Sequence, residues 1–158
     1  MTESRTRSGA VAATRYLGAA AVLAVGIDHI VEYYTDYYRA VPTIGTLFLL
    51  DFIASVVIGL ALLGPVRRVA GHRADRVLTL LAAGGIAIGA GTLAGLLVSE
   101  NGGLFGFMET GYRSSIVLSM VFDVAAAALL AAFLVLRRPS RTPARRHALI
   151  HVHKEISQ

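Results

Sequence analysis

The sequence predicts an all-α integral membrane protein, a four-helix bundle with both termini in the cytoplasm. Three observations carry this. Of 158 residues, 55% are hydrophobic and 16% charged, with a mean hydropathy of +0.63, a balance foreign to ordinary soluble domains. Four apolar runs, approximately 16–34, 43–64, 77–98 and 115–136, each approach the length of about 20 residues that a helix needs to cross a bilayer. Thirteen of the fifteen basic residues flank these runs on one side, and basic residues are retained in the cytoplasm.

Each element follows in order. Residues 1–15 form a cytoplasmic tail holding Arg5, Arg7 and Arg15. The first span, Tyr16–Tyr34, is uninterrupted from Leu17 to Ile27, and Ala24-Val25-Gly26 also offers a signal-peptidase pattern. Ile30, Val31, Tyr33 and Tyr34 carry the apolar pattern past that point, which favours a retained span. Thr35–Pro42 connects to the second span, Thr43–Gly64, and Pro65–Arg76, with four arginines, leads to the third, Val77–Val98. That third span contains Gly85-x-x-x-Gly89 and Gly91-x-x-x-Gly95, small-residue steps that predict close helix packing, with a homo-oligomer as the alternative. The fourth span is Ser115–Leu136. Runs this long and continuous are helices, not barrel strands, which would alternate polar and apolar residues. Residues 16–136 thus form one transmembrane domain, and 137–158 a basic cytoplasmic tail with Arg137, Arg138, Arg141, Arg145, Arg146 and Lys154, suited to anionic lipid. Topology already explains these basic flanks, so no nucleic-acid partner is expected.

Several chemistries are excluded. There is no cysteine, hence no disulfide, thiolate metal site or cysteine nucleophile. No phosphate-cradling Gly-Lys-Ser/Thr loop, Gly-x-Ser-x-Gly elbow or His-Glu-x-x-His motif occurs. Ser119, His29 and Asp123 supply the residue types of a hydrolytic triad, but their spacing does not select one.

The acidic residues are more informative. Asp28, Glu32, Asp36, Asp51, Glu100, Glu109 and Asp123 all fall on the outer side or in outer loops, against only Arg39 and Arg113. Along a helix, Asp28 lies about 9 Å, and Asp51 and Asp123 about 12 Å, below the outer ends of their spans. Carboxylates at that depth face a bundle interior or a wet cavity and are paired, protonated or bound to cations. Asp28, His29 and Glu32 share a helix face. His29, Glu32, Asp51 and Asp123 have the donor types for a divalent metal such as Zn, Mn or non-haem Fe, although the paired Glu-x-x-His motifs of a di-iron bundle are missing. The alternative is a hydrogen-bonded polar network that fixes helix register, with Arg39 or Arg113 reaching in. Two arginines cannot neutralise seven carboxylates, so the cluster calls for bound protons or cations.

Tyr33, Tyr34, Tyr37, Tyr38, Phe105, Phe107 and Tyr112 read as an aromatic belt at the membrane surface. The connector Ser99–Ser114 is long, and Asn101–Glu109 is a candidate lid over the acidic pocket, with Glu109 and Arg113 sharing a face if the fourth helix begins early.

Asp28-His29-x-x-Glu32-Tyr33-Tyr34, Pro42-Thr43-Ile44-Gly45-Thr46-Leu47-Phe48-Leu49-Leu50 and Phe105-Gly106-Phe107-Met108-Glu109-x-Gly111-Tyr112-Arg113 together resemble small four-helix membrane proteins of actinobacteria, over approximately Leu17–Leu136. In size and helix count the chain is also similar to DoxX-like proteins. The resemblance implies an architecture and a bacterial plasma-membrane location, and brings no reaction or ligand. The residues themselves point to a cation- or proton-binding transport element; an accessory subunit of a larger membrane complex and a metal-dependent membrane oxidoreductase are the alternatives.

Overall fold

A computed structural model describes residues 2–36, 38–106, 108 and 113–138, with side chains from residue 5 onward. It is helical as expected. The long helices are α1 (Thr2–Thr35), α2 (Pro42–Leu63), α4 (Ala74–Gly102) and α5 (Ser114–Leu136), with a short α3 (Val66–Ala70) between α2 and α4. Four helical stretches are long and apolar enough to cross a membrane. Single 3-10 turns, Tyr38–Ala40 and Gly71–Arg73, lie in the first two connections.

Several boundaries differ from expectation. The helix of the first span starts at Thr2, not Tyr16, and its 34 residues extend about 51 Å, well beyond the hydrocarbon core. The reason is tertiary. Arg7 Nε donates to the Leu136 carbonyl at 3.2 Å and its Nη2 to that of Arg138, while Val11 packs on the core, so the supposed tail is held against the end of α5. The third helix runs from Ala74 to Gly102 and absorbs residues assigned to connectors on both sides. At the start of α2, Pro42 occupies the first turn, where its missing N–H costs nothing.

The helices stand in a square. Helix α1 packs on α2 and α5, α4 packs on α5, and the α2–α4 seam is the loosest side. The start of α1 and the end of α5 lie at one end of the bundle, as the Arg7–Leu136 contact requires. That half holds the apolar core: Ala19, Val22 and Val25 of α1, Leu62 of α2, Leu78 and Ala82 of α4, and Ala126, Leu130 and Phe133 of α5. Small residues set the spacing. A Cβ on Gly59 would lie 2.6 Å from Leu23, one on Gly85 would strike Leu130, and one on Gly89 would lie 2.5 Å from the Asp123 carbonyl oxygen.

Arginines close this end. Two carbonyls at the end of α2 accept from Arg15, Leu62 O from Nε at 2.7 Å and Gly64 O, which also accepts from Val66 N, from Nη2 at 2.5 Å. Arg137 binds the Asp75 carboxylate at 2.9 Å and its carbonyl at 3.0 Å, joining the end of α5 to the start of α4. Arg15 and Arg7 thereby cap the negative ends of the α2 and α5 dipoles.

Candidate functional site

The acidic cluster forms in the half away from the start of α1 and the end of α5. Its residues lie in helix interiors, so their positions are fixed by helix packing and not by loops. Asp28, His29 and Glu32 project from one face of α1 with 9%, 6% and 5% of their surfaces exposed, and Asp123 of α5 is 3% exposed. Asp51 of α2 is partly buried and faces His29, with Nδ1 of the ring 3.6 Å from Asp51 Oδ2. That is an ion-pair distance, too long for a good hydrogen bond. The ring's closer contact is Nδ1 to the Val25 carbonyl at 2.9 Å. A carbonyl only accepts, so Nδ1 carries the proton, and in a neutral ring Nε2 keeps the lone pair.

Hydroxyls sit beside three of the carboxylates: Ser119 at Asp28, Ser55 at Asp51 (3.5 Å, Oγ to Oδ2) and Thr92 at Asp123. Even so, Asp28 Oδ2, Glu32 Oε1 and Asp123 Oδ1 are buried without a hydrogen-bond partner among the described residues. Orphaned carboxylate oxygens in a span are costly and call for a ligand or proton.

Between α2 and α4 lies a cavity of about 520 Å³ onto which His29, Glu32, Asp51 and Asp123 face. Most of its wall is apolar, supplied by residues such as Leu47, Leu50, Ala54, Ile88 and Leu96. Asp28 is not part of the lining; it backs the cluster from the α1–α5 side with Ser119. Phe48 stacks on Tyr38 at 4.5 Å between ring centres and meets the His29 ring at 4.8 Å, so an aromatic column rises from the histidine towards the membrane surface.

Several expectations need correction. Tyr38 is not a belt residue: it is 5% exposed and lines the cavity, whereas Tyr34 and Phe105 are exposed as a belt requires. Gly85 and Gly89 do pack helices, but nothing lies within 4 Å of a Cβ on Gly91, and Gly95 meets only Leu104 at 3.8 Å. The second glycine step therefore borders the cavity, because α4 leans away from α2 there. Neither arginine is buried with the deep carboxylates. Arg39 is exposed and outside the lining, and Arg113 lies 3.5 Å from Asp36 and donates to the Tyr38 hydroxyl at 3.3 Å. Among the described residues no group of three or more His, Asp or Glu side chains is spaced to hold a metal ion, so His29, Glu32, Asp51 and Asp123 surround a space without forming a ligand set.

The candidate lid is not a re-entrant helix where described. Helix α4 ends at Gly102, and Gly103, Phe105 and Gly106 take positive φ values of 74°, 51° and 81° in a turn that brings Leu104 to the cavity. Phe105 makes this conformation without glycine's freedom, a strained choice for a bulky residue. Glu109, Phe107, Tyr112, Tyr37 and the tail residues Arg141, Arg145, Arg146 and Lys154 lie outside the described residues.

Ser55, Thr92 and Ser99 of the site were not singled out from the sequence. One hydroxyl partner had a readable signal, Asp51-x-x-x-Ser55, which places the hydroxyl one turn from its carboxylate; Ser119-x-x-x-Asp123 has the same spacing, but Ser119 meets Asp28 of α1 instead. Thr92 and Ser99 carried none, since the carboxylates of the cluster all lie on other helices. In comparison with known proteins, no family model, curated protein or solved structure matches this chain.

Proposed function

We propose that this is a plasma-membrane protein that binds and transports a proton or cation at the cluster of Glu32, Asp51, Asp123 and His29, with Asp28 behind it. The observation that carries the reading is the pair of buried carboxylates, Glu32 and Asp123, whose residues line the cavity and which each keep one enclosed oxygen, Oε1 and Oδ1, without a partner among the described residues. A network built only to fix helix register would satisfy them. One helix dipole acts in the same sense. Glu32 lies in the last turn of α1, which holds no basic residue, whereas Asp51 and Asp123 lie more than two turns from the positive starts of α2 and α5 at the same side. The dipole of α1 acts within its last turn, so at Glu32 it favours a cation.

Both termini and the arginine-rich end face the cytoplasm in this reading, which opens the cluster towards the outer leaflet. A reporter active only in the cytoplasm should function when fused at Gln158 and fail when inserted near Gly102. The reverse pattern would invert the orientation.

Transport is tested in proteoliposomes loaded with a pH-sensitive dye. Wild-type protein should dissipate an imposed pH gradient faster than empty vesicles, and Asp51→Asn and Asp123→Asn should each slow this by about tenfold or more, since an amide keeps the shape and loses the charge. Wild-type vesicles indistinguishable from empty ones would refute the transport reading.

A further inference from the structure

We infer that the cavity takes a membrane-dissolved amphiphilic amine, which enters sideways from the lipid between α2 and α4 and places its ammonium among Glu32, Asp51 and Asp123. This rests on the cation-binding reading above and adds the ligand's class and route.

Charge sets the head group. The polar groups at the cavity floor are rich in acceptors and poor in donors: three carboxylates and the His29 ring, with Thr92, Ser99 and Ser119 as the hydroxyls. An ammonium brings positive charge and several N–H donors, matching the carboxylates of Glu32 and Asp123, which line the cavity, are at least 95% buried and each keep an oxygen without a partner among the described residues. A carboxylate or phosphate head would meet like charge. A bare metal ion finds no set of three ligands among the described residues.

The walls set the body. A small inorganic cation or proton needs no apolar chamber of about 520 Å³, a size typical of sites for whole small molecules. Hydrocarbon surface such as Leu47, Leu50 and Ile88 matches an alkyl or aromatic body.

The route follows from depth and packing. Leu47 and Leu50, which line the cavity, are 43% and 56% exposed, and Leu50 lies about 12 Å along α2 from its start, within the span. Exposure at that depth is exposure to lipid. Gly91, opposite on α4, is exposed with open space where a side chain would be. At the membrane surface, Tyr38 is buried over the cavity and fixed by Phe48 and Arg113. An amphiphile dissolved in the outer leaflet therefore meets an open side at hydrocarbon depth, with its charge complement behind.

The test uses the full chain in zwitterionic phosphatidylcholine nanodiscs and a dansyl-tagged twelve-carbon primary amine as probe. Saturable fluorescence is expected, displaced by dodecylamine and at least about tenfold less well by dodecanol, which has the same tail without the charge. Glu32→Gln combined with Asp123→Asn should weaken probe binding by about tenfold or more. Gly91→Leu, which fills the gap without touching a carboxylate, should weaken it comparably while melting within a few degrees of wild type. Equal displacement by dodecanol would overturn the charge argument. Full binding to a Gly91→Leu protein would overturn the lateral route. A wild-type dimer that Gly91→Leu converts to monomer would show a second copy covering the seam and overturn the proposal. Wild-type protein that moves protons in the dye assay but binds no amine would defeat this inference alone; failure of both assays would remove the cation-binding reading with it.

Discussion

Around Val22, Leu62, Leu78, Leu130 and Phe133 the four helices close on one another, with these side chains at most 3% exposed. Some 15 Å further along α1, the same helices part between α2 and α4 and enclose carboxylates with orphaned oxygens. In the first half, glycines meet bulky side chains and arginines satisfy the open carbonyls of α2 and α5. In the second, a glycine faces empty space and the arginine nearest the cluster is taken by Asp36 and Tyr38. Stability and the candidate site are thus separated along one axis. The closed half packs together the helices that carry, in the open half, carboxylates whose burial by itself is unfavourable.

Helix α4 offers the strongest way to break this comparison, because it passes from one half to the other between two glycines. A Cβ on Gly89 would lie 2.5 Å from the backbone oxygen of Asp123, an atom that cannot rotate away, whereas one on Gly91 meets nothing within 4 Å. Gly89→Ala should therefore force α4 and α5 apart and cost about 3 kcal/mol, at the upper end for overpacking. Gly91→Ala should change stability by no more than about 0.5 kcal/mol. Thermal unfolding of both variants in detergent measures the contrast, and equal losses would mean that the two halves are packed alike.

The arginine caps give a smaller effect with the same sign. Arg15→Ala removes two charged hydrogen bonds to the end of α2, at 2.7 and 2.5 Å; Gly64 O keeps the Val66 N–H at 2.9 Å, while Leu62 O loses its Arg15 donor. Arg15 also lies over the Tyr16 ring at 5.2 Å. A loss of about 2 kcal/mol is expected, with Arg15→Lys recovering part of it. No loss at all would show that these arginines act only on topology.

Much of this division was legible in the sequence. Span number and approximate limits follow from hydropathy, and the depth of Asp28, Asp51 and Asp123 follows from counting residues along helices. What periodicity does not reveal is which helix pair opens. Gly85-x-x-x-Gly89 and Gly91-x-x-x-Gly95 are identical as patterns, yet only the first is tightly packed, because the second step lies beside the cavity. Tyr38 likewise has the composition of a belt residue and is buried by contacts with Phe48 and Arg113 from distant sequence. The extension of α1 to Thr2 depends on Arg7 finding the end of α5, a contact 129 residues away in sequence.

The smallest effect should have the opposite sign. Glu32 is 5% exposed, its Oε1 has no partner among the described residues, and it sits in the last turn of α1, where the helix dipole opposes a negative charge. Replacing a buried ionisable group by an apolar one of similar volume is often neutral or stabilising, and methionine is long and flexible enough to follow the glutamate path. Glu32→Met should accordingly raise stability in detergent by about 1 kcal/mol while abolishing proton movement in the dye assay, the trade expected where a site is held at the expense of stability. A structural role predicts the reverse, since a glutamate that holds helices together would be missed. Differential scanning of Glu32→Met beside Arg15→Ala decides the point: if both melt below wild type, the open half is built for stability like the closed one.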